Sequence, residues 1–142
     1  MLQSLVYLAQ TDTTLGLLST NEAILNHTKN APSKKKLLTQ FVNFKKLRIP
    51  SAFKSHVRHA KRQSFIIKGK SFRVSKDTNF NLFLKFFESG LYSSSANMHK
   101  GEFSLEFAKS VADVYVLDKR GFKKHKASKI YKLNASRMRR LR

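Results

Sequence analysis

The stretch LQSLVYLAQTDTTLGL, residues 2–17, decides the reading of the fold. Leu2 to Ala9 is an apolar run of strand length, and it stops at the polar turn Gln10-Thr11-Asp12-Thr13-Thr14, which leads to Gly16. Open α/β sheets bind ligands just beyond the carboxyl ends of their strands, so Thr and Asp side chains in this turn are expected to face a substrate.

Working outward, Asn21 to Lys29 reads as a short helix capped by Thr20 or Asn21 and stopped by Pro32. Leu37 to Val42 is a strand. Ser64 to Ile67 and Ser71 to Val74 are β-prone runs joined by Lys68-Gly69-Lys70, a hairpin spacing that puts Arg73 inside a strand. Thr78 is placed at the cap of a helix running through Glu88, with Phe80, Phe83, Leu84 and Phe87 on its core face and Gly90 at its end. Leu91 to Ser93, Val114 to Leu117 and Ile130 to Leu133 are further strands, and Ser104 to Ser110 is an amphipathic helix. Short strands interleaved with a few helices, without a 20-to-50-residue repeat, predict a single α/β (α+β) domain built on a twisted, open, mixed sheet flanked by helices. The domain is expected over residues 1–133, with 134–142 as a basic C-terminal tail.

Composition narrows the function. The chain has 142 residues, 29 Lys and Arg against 8 Asp and Glu, and a formal charge of +21, which points to a polyanionic partner. With 41% apolar residues, including twelve Phe, it can bury one core of ordinary size. The absence of Cys excludes disulfides, thiolate metal sites and cysteine nucleophiles, and fits a reducing cytoplasm. No eighteen apolar residues run together, and Met1 to Ala9 has no charged segment ahead of it, so neither a membrane span nor a signal peptide is expected. Charge is also uneven. Residues 1–28 hold no Lys or Arg, whereas Lys29 to Lys76 holds fifteen basic residues without an acid and residues 119–142 hold eleven more, again without an acid.

Several motifs fail on their chemistry. Gly69-Lys70-Ser71 ends like a phosphate-binding P-loop, but Ser64 stands where that loop needs its first Gly. His56 and His59 share a helical spacing, yet Lys54, Arg58, Lys61 and Arg62 surround them and would repel a dication, so no metal site is expected. The eight acids form no close pair for hydrolysis, and Ser93, Ser94 and Ser95 lack a local His and Asp to activate one of them.

What remains is a set of threonines, serines and cations. Val6 to Leu17 resembles the opening strand and turn of the YrdC-like family, the threonylcarbamoyl-AMP synthases. Ser93-Ser94-Ser95-Ala96-Asn97 resembles that family's Ser-x-Ser-Ala-Asn signature and follows Ser71-Phe72-Arg73-Val74, which resembles its Arg-bearing strand, by about twenty residues. Lys29-Asn30-Ala31-Pro32, with Lys35 beyond, resembles the Lys-x-Arg-Pro segment, and Ala127-Ser128-Lys129-Ile130 resembles the late Pro-Ser-Thr-Ile segment. These landmarks follow the family's order over nearly the whole chain. The chain departs from the family at Gln10, which replaces a Pro, at Ala31, which replaces an Arg, and at Lys61-Arg62-Gln63, which replaces Pro-Gly-Pro. Losing a guanidinium removes a bidentate phosphate clamp, whose charge Lys34, Lys35 and Lys36 partly restore.

The resemblance implies a YrdC/RibB-like fold and a nucleotidyltransferase that forms threonylcarbamoyl-AMP from L-threonine, bicarbonate and ATP, with Mg2+ carried on ATP and pyrophosphate released. The product serves tRNA modification, and tRNA and proteins of that pathway are implied partners. By the same resemblance Thr11, Arg73 and Ser128 attend threonine, Arg73 pairing its carboxylate, while Lys29, Lys35, Ser64, Ser93, Ser95 and Asn97 attend the nucleotide. The competing expectation is a non-catalytic module of the same fold that binds double-stranded RNA or tRNA through phosphates, with Lys34, Lys36, Arg137, Arg139, Arg140 and Arg142 as its cations. A small basic ribosome-associated protein is a third reading, to which the Ser-Ala-Asn signature runs counter.

Overall fold

The computed structural model describes residues 4–123 and 125–142. One mixed sheet organises it, with strands β1 (Tyr7–Gln10), β2 (Leu15–Ser19), β3 (Leu38–Phe41), β4 (Gln63–Ile67), β5 (Lys70–Val74), β6 (Leu91–Ser95), β7 (Val114–Val116), β8 (Lys129–Leu133) and β9 (Met138–Arg140) in the order β7-β1-β2-β6-β3-β5-β4-β8-β9. Helices α1 (Glu22–Thr28), α2 (Lys54–His59), α3 (Thr78–Leu84) and α4 (Leu105–Val111) cover it. The expected α/β architecture with an open mixed sheet is the observed one. No helix among the described residues is long and apolar enough to cross a membrane.

Local chemistry sets the helix starts. Asn21 accepts from Ile24 N at 3.2 Å, Asp77 from Phe80 N at 2.9 Å and Ser104 from Phe107 N at 3.2 Å, each satisfying an orphan donor of a first turn. Thr78, the expected cap, is instead the first helical residue. The helix also ends at Leu84, short of the expected Glu88, because Phe86 N and Phe87 N bond the carbonyls of Phe83 and Leu84 three residues back and tighten the chain out of the α register.

Packing then fixes the layers. Leu8, Leu15 and Leu17 meet Leu25 of α1 and Ala108 of α4 in one buried cluster, while Ala9, Leu18 and Leu91 meet Phe80 and Leu84 of α3 in a second. Alternation along β1 and β2 sends these two sets to opposite faces of the sheet. A third cluster seats Val57 of α2 on Phe65, Phe72 and Leu133. Every residue of β2 is buried, so the strand reads as an unbroken run with no alternation. The segment 134–142, expected as a tail, supplies β9, which pairs antiparallel with β8 through Tyr131 opposite Arg140 and Leu133 opposite Met138. Half-buried Met138 packs against the third cluster and anchors the hairpin.

The register brings three strand ends together. The carboxyl end of β1 pairs with the start of β2 (Gln10 opposite Leu15), and the start of β2 pairs with the end of β6 (Gly16 opposite Ser95). The Thr11-to-Thr14 turn and the Ser95-to-Asn97 segment therefore share one end of the sheet.

Candidate functional site

Two polar clusters occupy that end, one on each face of β6. On the first face Arg73 is 4% exposed and all its nitrogens are engaged within the protein. Nε donates to Asp12 Oδ1 at 3.0 Å and Nη1 to Ser64 Oγ at 3.0 Å. Gln40, its amide oxygen turned toward Arg73, accepts from Nη2 at 3.0 Å and from Ser93 Oγ at 2.9 Å, and its amide nitrogen faces Asp12 Oδ1 at 3.3 Å. Ser64 and Ser128 share a hydrogen bond at 2.7 Å. The register explains the row: Gln40 lies opposite Arg73, and Ser64 one pleat from Phe65, which lies opposite Phe72. Burial raises the Asp12 carboxyl above its ordinary value while the Arg73 guanidinium pulls it back, and Asp12 Oδ2 is buried without a hydrogen-bond partner.

Above this network opens a cavity of about 660 Å³, a size that suits a small organic ligand. Thr11, Asp12 and Thr13 line one wall. Lys61, Arg62, Lys126 and Lys129 are among the cations of the others. Thr11 Oγ1 donates to Thr14 O at 2.5 Å and accepts from Thr13 N at 3.2 Å, which locks the turn. Gly16 permits the packing, since a Cβ there would meet Thr11 Cγ2 at 3.0 Å.

On the second face, Lys29 follows α1 and is 4% exposed. Its ammonium donates to Ser94 Oγ and, at 2.7 Å, to the Ser95 carbonyl. Burial, and then the neighbouring charge of Lys35, lower its pKa from 10.5 to about 8. Among the described residues the ion pairs are Arg73 with Asp12 and Arg120 with Asp77 and Asp118; no carboxylate reaches Lys29. A desolvated ammonium without a counter-anion is costly, so the cluster is chemically suited to an anion. Ser95 Oγ donates to Asn97 Oδ1, and Asn97 Nδ2 donates to the carbonyls of Met98 and Gly101, so both side chains shape the loop that closes this cluster.

The expected residues thus divide. Thr11 lines the cavity, and Arg73, Ser64, Ser128 and Ser93 form the network beneath it, so Ser64 and Ser93, expected at the nucleotide, stand with the residues expected at threonine. Lys29, Ser95 and Asn97 meet at the second cluster, and exposed Lys35 adjoins it through His99. Exposed Lys34 and Lys36 lie on the loop before β3, whereas exposed Arg137, Arg139, Arg140 and Arg142 lie on the β8–β9 edge, with β5, β4 and β8 between them in the sheet. Arg142 reaches back to donate from Nε to the Ser128 carbonyl at 3.0 Å. Sequence reasoning missed Ser94, Gln40 and the partner role of Asp12. Strand alternation over Ser93-Ser94-Ser95 was the available signal for Ser94, since one of three consecutive strand serines must face α1.

No family model matches the chain, and no match was found among the curated proteins. Solved structures do resemble it. A double variant of P. abyssi Sua5 superposes with a TM-score of 0.78 at 13% identity, covering 97% of this chain and 52% of that one. P. abyssi Sua5 complexed with L-threonine gives a TM-score of 0.75 at 12% identity over 97% of this chain and 50% of that one. Full-length HypF in its phosphate- and nucleotide-bound form gives 0.74 at 16% identity over 97% and 26%. The fold is YrdC-like. The chain spans about half the length of these Sua5 chains, 52% and 50%, and at such identities the likeness is one of architecture.

Proposed function

We propose that the chain is a threonylcarbamoyl-AMP synthase-like nucleotidyltransferase, taking L-threonine, bicarbonate and Mg2+-bound ATP and supplying its product to tRNA modification. The observation that carries this reading is the buried Lys29 ammonium, held by Ser94 and Ser95 and lacking a carboxylate. The likeness to Sua5 complexed with L-threonine and to nucleotide-bound HypF supports it.

In the proposed reaction the threonine amine adds to bicarbonate, forming an N–C bond and losing water. A carbamate oxygen then attacks the α-phosphorus, and the bond to pyrophosphate breaks. Such transfer depends on positioning and on neutralising phosphate charge, which cations and hydroxyls provide without a paired acid and base. Lys29 holds the phosphates, with Ser95 and Asn97 fixing the loop beside them. Threonine occupies the cavity, where Thr11 forms the wall and Ala127 and Lys129 flank Ser128. Arg73 has given its donors to Asp12, Ser64 and Gln40, so the cavity cations Lys61, Arg62 and Lys126 meet the carboxylate, and Arg73 acts as a positioning residue under them. Calorimetric titration tests the reading: the chain binds Mg·ATP, Lys29→Met does not, and equal binding by both proteins rejects it.

The RNA-binding reading has its own observation, the row of exposed Arg137, Arg139 and Arg140 along the outer edge of the sheet. Each phosphate contact would steepen the fall of affinity with salt.

A further inference from the structure

The structure sets a second cation, Lys35, close enough to Lys29 for its charge to act on it. The loop after α1 is pinned from the helix. Buried Asn26 donates Nδ2 to the Lys35 carbonyl at 2.8 Å and accepts from Ala31 N on its own carbonyl at 2.8 Å, and Glu22 accepts from Leu37 N at 3.1 Å. Lys35 is thereby aimed across to the loop after β6, where its ammonium donates to His99 Nδ1 at 3.3 Å. His99 is tied from its other side, its backbone N–H donating to the Lys29 carbonyl at 2.9 Å. His99 thus links the two lysine positions, its ring touching the Lys35 ammonium and its backbone the Lys29 carbonyl. An Nδ1 that accepts from an ammonium carries no proton, so the neutral ring holds its hydrogen on Nε2. Partial desolvation and then the charges of Lys35, Lys100 and Lys29 lower the His99 pKa, and no carboxylate is among the groups acting on it.

We propose that His99 completes a triphosphate subsite: neutral, it holds Lys35 in waiting, and when a nucleoside triphosphate binds, Lys35 turns to the phosphates and His99 Nδ1 takes a proton from solvent. The site then presents Lys29, Lys35 and His99 as three cations. This rests on the reading of Lys29 as a phosphate ligand and adds that binding consumes a proton.

Titration calorimetry of Mg·ATP at pH 7 in two buffers of different ionisation enthalpy counts that proton. For the unaltered chain we expect uptake of about half a proton or more per ATP, since an anion raises the affinity of an adjacent imidazole for its proton. His99→Gln retains an acceptor for Lys35 but cannot charge, so uptake drops to near zero and affinity falls about threefold to tenfold. His99→Lys, permanently charged, binds at least as tightly as the unaltered chain, again without uptake. Equal uptake in the unaltered chain and His99→Gln overturns this inference alone. Failure of Mg·ATP to bind the unaltered chain overturns it together with the Lys29 reading.

Discussion

At the scale of single residues, Lys29 and Arg73 show two ways to bury a cation. Arg73 has Asp12, so removing either partner strands the other. Arg73→Met should destabilise the fold by about 3–5 kcal/mol in urea unfolding, and Asp12→Leu in the same chain should restore most of it. Lys29 has no such partner. Its pKa falls from 10.5 to about 8 on folding, so the unfolded chain binds the extra proton between those values and stability declines as pH drops from 10.5 to about 8. Lys29→Met should abolish that slope and be the more stable protein at pH 7, by about 1 kcal/mol once solvent screening at the site's mouth is discounted. A variant more stable yet unable to bind Mg·ATP is the expected signature of a charge kept for a ligand. Asp12 works with the opposite sign. Its native carboxyl holds a proton more tightly than the ordinary 3.8, so its contribution is whole below that value and is lost as pH rises through the native one. The stability of the unaltered chain relative to Asp12→Asn should therefore decline as pH rises from about 3.8.

At the scale of elements, legibility follows burial pattern. The hairpin of β4 and β5 was readable because Gly69, at φ +77°, sits in a turn that β-prone runs flank on both sides. Besides β9, expected as part of a tail, two elements were not readable. β2 is buried along its whole length and shows no period, and α2 turns only Val57 inward, so its six residues carry no helical stripe. The caps were partly legible, with α3 one residue out because Asp77 and Thr78 are both good caps and only tertiary contact chooses between them. Arg120 makes that choice, donating from Nη1 to Asp77 Oδ2 at 2.6 Å and from Nη2 to the Gln10 carbonyl at 3.1 Å. Asp77 thus caps α3 and straps the segment after β7 to the cavity wall. Asp77→Ala should cost about 0.5–2 kcal/mol for the cap, and Asp77→Asn, which keeps the cap but not the ion pair, about 1 kcal/mol or less. Thermal unfolding of the two variants separates the contributions.

At the scale of the whole molecule, the residues of the site were legible singly and their partners were not. Lys29, Arg73, Ser95 and Asn97 stand out through the resemblance to the family's motifs, whereas the pairing of Arg73 with Asp12, 61 residues away, depends on the crossover that puts β5 three strands from β2. The charge asymmetry, plain in the sequence, becomes a division of the sheet: the basic β8–β9 edge lies at the opposite end from β7. If structured RNA binds at that edge, substituting Arg137, Arg139 and Arg140 with Gln should flatten the salt dependence of affinity by about one unit of slope per lost phosphate contact, leaving Mg·ATP binding unchanged. The central claim is chemical, and turnover tests it most directly. Purified chain is incubated with Mg·ATP, L-threonine and bicarbonate, and pyrophosphate and threonylcarbamoyl-AMP are followed by mass spectrometry against a control without threonine and against Lys29→Met. The account predicts product that requires threonine and vanishes in Lys29→Met. Absence of product from the unaltered chain, or product undiminished in Lys29→Met, would contradict it.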